Sequence, residues 1–208
     1  MQLTLAPGQL YEIAFVDAPP SQDPLATYLG PMAGAAQAEG AKGVASLAVT
    51  HIEHADFECQ SVAIVAWPSP EVYAGFHGRD TWPTEVLMGR RAVPVQVEAE
   101  TTINLSGEGR YEFAAFWMNR TNAALNLSYF ETMGPLIKSA APRPLTEWSV
   151  CAPEGPLATS PSRFNWLEWT GTPEARAAMF TSDEFKSSGY LRALALDRLA
   201  TVMVTPST

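Results

Sequence analysis

The alternation of apolar and polar positions along this chain repeats itself. The run Gln9-Leu10-Tyr11-Glu12-Ile13-Ala14-Phe15-Val16 is echoed by Gly109-Arg110-Tyr111-Glu112-Phe113-Ala114-Ala115-Phe116, and both have the residue types of a first strand. Ala26-Thr27-Tyr28-Leu29-Gly30-Pro31-Met32 then matches Leu127-Ser128-Tyr129-Phe130-Glu131-Thr132-Met133, each within a stretch that reads as a helix in spite of Pro31 and Pro135. Second strands are expected over residues 43–49 and 144–150. Third strands are expected over Val62-Ala63-Ile64-Val65-Ala66-Trp67 and Phe164-Asn165-Trp166-Leu167-Glu168-Trp169, both ending in tryptophan. Pro70-Glu71 and Pro173-Glu174 follow; proline at a first helical turn loses only an amide without a partner, and the adjacent acid suits the helix dipole. Arg79-Asp80-Thr81-Trp82 and Ser182-Asp183-Glu184-Phe185 read as matching turns. The β-branched runs 92–97 and 199–204 close the two halves.

Each half therefore reads as β-α-β-β-α-β, the ferredoxin-like order, with helices on one sheet face and the other face bare. The expected units are residues 1–100 and 101–208, with polar Glu98 to Gly109 as linker. Two copies on one chain can bury their bare faces against each other. The class is α+β.

Composition narrows the function more by exclusion than by assignment. A net charge of −9 with only 13 scattered basic residues argues against nucleic acid and against an anionic membrane surface. No run approaches the roughly 18 apolar residues of a membrane-spanning helix, and the first residues lack a signal-peptide pattern, so a cytoplasmic location is expected. Cys59 and Cys151 are isolated, which suggests neither zinc nor a redox dithiol. No Gly-x-Ser-x-Gly elbow, phosphate-binding Gly-Lys-Ser loop or His-Glu-x-x-His occurs, and no tightly held cofactor is expected. A charged fraction of 17% with six Trp, nine Phe and six Tyr suits a surface buried against a partner or around a ligand, although core aromatics explain it equally well.

Leu167-Glu168-Trp169-Thr170-Gly171-Thr172-Pro173-Glu174-Ala175, with Ser182-Asp183-Glu184-Phe185, resembles a small uncharacterised bacterial family of the dimeric α+β barrel superfamily. The first half departs from that pattern, with Ala66 in the place of Glu168 and Arg79 in the place of Ser182. The resemblance implies two ferredoxin-like units packed sheet to sheet as a barrel within one chain. The superfamily includes cofactor-free monooxygenases, heme-using chlorite dismutases, lactone isomerases and plain binding proteins, and a shared fold does not choose among them.

Four groups of residues carry candidate chemistry. Glu168 shares a strand face with Trp166; facing the barrel interior it would be a general base among aromatics, and otherwise it would pair with an arginine such as Arg192 or Arg198. His77 and Arg79, with Trp67 and Trp82 nearby, could move a proton and hold an anion, or simply end a helix. Tyr28 and Tyr129 recur at one repeat position, as ligand contacts or as core. His51, Glu53 and His54 could ligate a metal if their segment curled; its plainer reading is an exposed connection between strands. The expectation is a pocket between the sheets for a small apolar or aromatic molecule, in a binding protein or a cofactor-independent enzyme of the monooxygenase or isomerase type. The alternative is a non-catalytic interaction module, with homo-oligomerisation. Heme binding follows only from the superfamily.

Overall fold

Helix starts follow the local chemistry. In a computed structural model, which describes residues 1–79, 91–119, 121–151 and 161–207, prolines 24, 70 and 173 open α1 (Pro24–Leu29), α3 (Pro70–His77) and α5 (Pro173–Thr181). Asp23, Ser69 and Thr172 cap them, each side chain accepting from the amide three residues on. In the first half Gly30, at φ +51°, and Pro31 end α1, and α2 (Ala33–Ala38) follows a short 3-10 turn. The matching helix α4 (Ala123–Ala140) runs on through Pro135. Ser182 was expected in a turn; it caps α6 (Asp183–Ala195), accepting from the Phe185 amide.

The strands are β1 (Gln2–Leu5), β2 (Leu10–Val16), β3 (Lys42–His54), β4 (Ser61–Trp67), β5 (Ala92–Gln96), β6 (Thr101–Asn104), β7 (Tyr111–Met118), β8 (Pro142–Thr146), β9 (Ser149–Val150), β10 (Arg163–Trp169) and β11 (Leu196–Pro206). Nine of them form one antiparallel sheet in the order β8-β10-β7-β11-β3-β4-β2-β5-β9. The order β5-β2-β4-β3 in the first half recurs as β11-β7-β10-β8 in the second, fourth-first-third-second in both. β11 joins the halves through β3, with Met203 opposite His51 and Val204 opposite Val49. At the other end β5 pairs with β9, which only residues 147–148 separate from β8 at the opposite edge.

Two expectations are corrected here. The supposed linker contains β6, which pairs with β1 and buries Ile103 and Leu105. His51, Glu53 and His54 are not in a loop: β3 continues through His54, because its outer half finds a hydrogen-bonding partner in β11.

Alternation along the strands sorts side chains into two faces. Tyr11, Ile13, Val62, Ile64, Tyr111, Phe113, Phe164, Trp166, Val202 and Val204 share one apolar core with Leu3 and Leu5 of β1. Phe113 stacks on Trp166 at 4.8 Å between ring centroids, and Trp148 stacks on Trp166 at 6.4 Å. Rings thus fill much of the space expected to hold a pocket between the sheets, and Phe164, Trp148 and Val150 of this core also border a cavity. On the other face Leu10, Val65, Trp67, Tyr73 and Phe76 pack beneath α1–α3, and Tyr129, Met133, Trp169, Met179 and Met203 beneath α4–α6.

Gly171, between β10 and α5, lies against the carbonyl of Ala140, and a Cβ there would collide with that backbone. Gly171→Ala is expected to destabilise the fold by about 1–3 kcal/mol, read as a lower midpoint in urea unfolding.

Candidate functional site

Glu12 and Glu112 interrupt their apolar strands at matching positions, and alternation turns both away from the shared core and under the helices. Glu12 is fully buried. Tyr28 Oη donates to its Oε1 at 2.8 Å, Trp67 Nε1 donates to its Oε2 at 3.1 Å, and His77 Nε2 lies 3.2 Å from Oε2. Glu112 keeps the tryptophan and changes the rest. Trp169 Nε1 donates to Oε2 at 2.9 Å, and Arg176 Nη2 donates to the same oxygen at 3.1 Å. Counting from the helix prolines, Arg176 stands where the first half has Tyr73, and Phe180 stands where it has His77.

Arg176 is held on several sides. It pairs with Glu53 of β3 at 2.6 Å, and its guanidinium lies 4.8 Å from the ring centroids of both Trp169 and Phe180. Two carboxylates therefore share one half-buried cation, and the pair draws on both halves of the chain. Burial first, and the neighbouring Glu53 charge second, raise the Glu112 pKa above its ordinary 4.5, with Arg176 and Trp169 opposing. Among the described residues, nothing donates to Oε1 of Glu112.

Beside this cluster a cavity of about 580 Å³ opens between the second half of the sheet and α4–α6. Its floor follows from register. His54 of β3 lies opposite Thr201 of β11, Thr201 opposite Ala114 of β7, and Ala114 opposite Asn165 of β10. Cross-strand neighbours share a face, so three polar side chains flank one methyl group, and the small Ala114 leaves room above the sheet. Phe116, Leu167, Tyr129, Phe180 and Phe185 supply apolar wall, and Glu112 borders one side. Burial lowers the His54 pKa, with the Arg192 charge adding to it, and burial raises that of Tyr129 against the pull of Arg192.

The residues singled out from sequence are dispersed. Glu168 is paired with Arg143 near the open edge formed by β8, the ion-pair alternative but with a different arginine from those named. Trp166 is in the shared core. Trp67, Tyr28 and His77 meet at Glu12, within the packed layer under α1–α3. Arg79, just past α3, pairs with Glu39 and lies over the Phe76 ring. Trp82 lies outside the described residues. Tyr129, Glu53 and His54 do reach the cavity. Among the described residues no three His, Cys, Asp or Glu side chains form a metal-ligating group.

Glu112 and Arg176 were not anticipated. A charged residue within an apolar strand, recurring at Glu12 and Glu112, was the available signal. Arg176 had none, since one arginine on a helix surface is ordinary.

The likenesses found among solved structures are of fold. An anthrone oxidase-like protein superposes over 100% of this chain and 95% of its own, with a TM-score of 0.50 and 12% identity. A protein of Lactobacillus acidophilus named as a monooxygenase matches at a TM-score of 0.39 and 9% identity, over 97% of this chain and 95% of its own. A mutant chlorite dismutase from Candidatus Nitrospira defluvii matches at 0.39 and 10% identity, over 96% of this chain and 92% of its own. No family model matches the chain, and no curated protein matches it significantly. Among the described residues no helix is long and apolar enough to cross a membrane.

The Glu112 shift has a consequence for stability. Its pKa is raised on folding, so its contribution is fully present below the unfolded value of 4.5 and is lost as pH rises through the folded value. Glu112→Gln removes this titration. The Tm of the native protein, measured relative to that of Glu112→Gln, is expected to fall as pH rises above about 4.5. Parallel Tm profiles would show that Glu112 titrates alike in both states.

Proposed function

We propose that the protein binds a small aromatic molecule in the cavity beneath α4–α6 and acts on it without a tightly held cofactor, Glu112 serving as the proton acceptor. The observation carrying this reading is a buried carboxylate, braced by Arg176 and Trp169 on one oxygen, at the wall of an aromatic-lined cavity. A carboxylate made more basic by burial can take a proton from a phenol, or from a carbon beside a carbonyl. Returning the proton to another carbon is isomerisation. With dioxygen as oxidant, a CH₂ group becomes C=O, one oxygen atom staying in the product and the other leaving as water. The likeness to an anthrone oxidase-like protein makes anthrone a reasonable first substrate.

The same reading takes the chain as a tandem duplication, residues 1–100 and 101–208, closed into an intrachain barrel. The recurring strand order and the position of β8 and β9 at opposite ends of one sheet support it. Glu168 and His77 then belong to the frame, holding Arg143 and Glu12 in place.

Anaerobic titration with anthrone, followed by tryptophan fluorescence, should quench saturably, and aerobic turnover should consume dioxygen. Ala114→Phe fills the cavity floor and should abolish both. Glu112→Gln should lower kcat by about 100-fold or more while binding persists. Absence of both quenching and uptake with anthrone and related phenols would sink the reading, and unchanged turnover in Glu112→Gln would remove that residue from it.

Exposed Leu127 and Phe130 of α4, with Tyr190 and Leu194 of α6, favour a second reading in which these helices meet another copy of the chain. Sedimentation equilibrium would then show a dimer that Leu127→Glu with Tyr190→Glu dissociates; a monomer throughout would dismiss it.

A further inference from the structure

The cavity has a second polar end, distinct from Glu112. Thr201 is only 7% exposed, lines the cavity, and its Oγ1 has no hydrogen-bond partner among the described residues. A buried hydroxyl left without a partner costs about 1–3 kcal/mol. Its cross-strand neighbour His54 lies on the same floor. Above them Arg192, in the last turn of α6, lies 5.0 Å from the ring centroid of Phe185 and also lines the cavity.

Two arginines line this cavity, Arg163 and Arg192. Arg163 donates to the side-chain oxygen of Asn165, and neither has a carboxylate partner among the described residues, whereas Arg79, Arg143, Arg176 and Arg198 each have one. The two ends of the cavity are therefore unlike in charge. At one end Glu53 and Glu112 share the single cation Arg176, which leaves an excess of acid. At the other, a guanidinium and an unused hydroxyl donor sit over apolar walls.

We propose that this second end recognises an acidic oxygen on the aromatic ligand, a carboxylate, sulfonate or phenolate, with Arg192 supplying the charge and Thr201 a hydrogen bond. The inference rests on the cavity being the binding site. It sets the ligand's orientation: the anionic group lies against Arg192 and Thr201, the rings lie over Ala114, and the opposite edge is presented to Glu112. It also specifies a substrate class, since a neutral aromatic of the same size leaves the Thr201 hydroxyl without a partner and Arg192 without a countercharge, and binds more weakly.

Two fluorescent probes of nearly identical body separate the possibilities: 1-anilinonaphthalene-8-sulfonate, which carries an acidic group, and the uncharged N-phenyl-1-naphthylamine. The native protein should bind the sulfonate about tenfold or more tighter than the amine. Arg192→Gln should remove that preference, weakening the sulfonate about tenfold while moving the amine by no more than about twofold. Thr201→Val should weaken the sulfonate in the same direction. Arg198→Gln, whose cation is engaged with Asp56, should change neither. Ala114→Phe should abolish both, and circular dichroism establishes that each variant is folded. If both probes bind, Ala114→Phe removes them, and Arg192→Gln leaves the sulfonate unaffected, the acidic-group proposal is overturned while the cavity reading stands. If neither probe binds, or Ala114→Phe changes nothing, the cavity is not their site and both readings fall.

Discussion

The structure depends on burying one apolar face that strands from both halves of the chain share. A four-stranded sheet with helices on one side leaves the other side bare, and here neither half covers its own. Tyr11, Ile13 and Ile64 from the first half meet Tyr111, Phe113 and Trp166 from the second in a single core. At about 25 cal/mol per Å² of apolar surface removed from water, rings and branched chains packed at this density dominate the stability. The cavity that borders Glu112 lies against the helix-covered face and reaches Trp148, Val150 and Phe164 of the shared core.

On that face the two halves solve the same problem differently. Each places a glutamate from its first strand beneath its helices and meets it with the indole of its third-strand tryptophan. In the first half the partners among the described residues include Tyr28 and His77, within closely packed rings. In the second half an arginine is needed, and it brings a second carboxylate, Glu53, from the other half of the chain. Burying a charged group without a partner costs several kcal/mol, so each member of such a cluster holds the others in place. A group of this kind is costly as pure scaffolding, and its position on a cavity wall makes it a natural place for proton chemistry.

The frame and the site therefore have different origins. Register in the sheet lines up His54, Thr201, Ala114 and Asn165 from four strands, and the helices lay aromatic rings and Arg192 above that row. The cavity exists because one position in the row is an alanine. No single segment of the chain carries the site.

Much of the fold was legible in order along the chain. Alternating strands, the Pro-Glu helix starts and the third-strand tryptophans are local signals, and local signals survive in a sequence because backbone geometry and capping act over a few residues. The strand in the expected linker and the long β3 were not legible. Both depend on partners far away, β1 and β11, and β6 offers little local pattern of its own. The site was legible least. Glu168, conspicuous between two tryptophans, pairs with Arg143, while the unremarked Arg176 joins Glu53 and Glu112 across the chain. What the sequence determined by itself is the succession of elements and which strand positions turn to the same side. Only the tertiary structure decided which charged groups lost water and which partner each acquired, because desolvation depends on everything packed around a group and not on its neighbours in the chain.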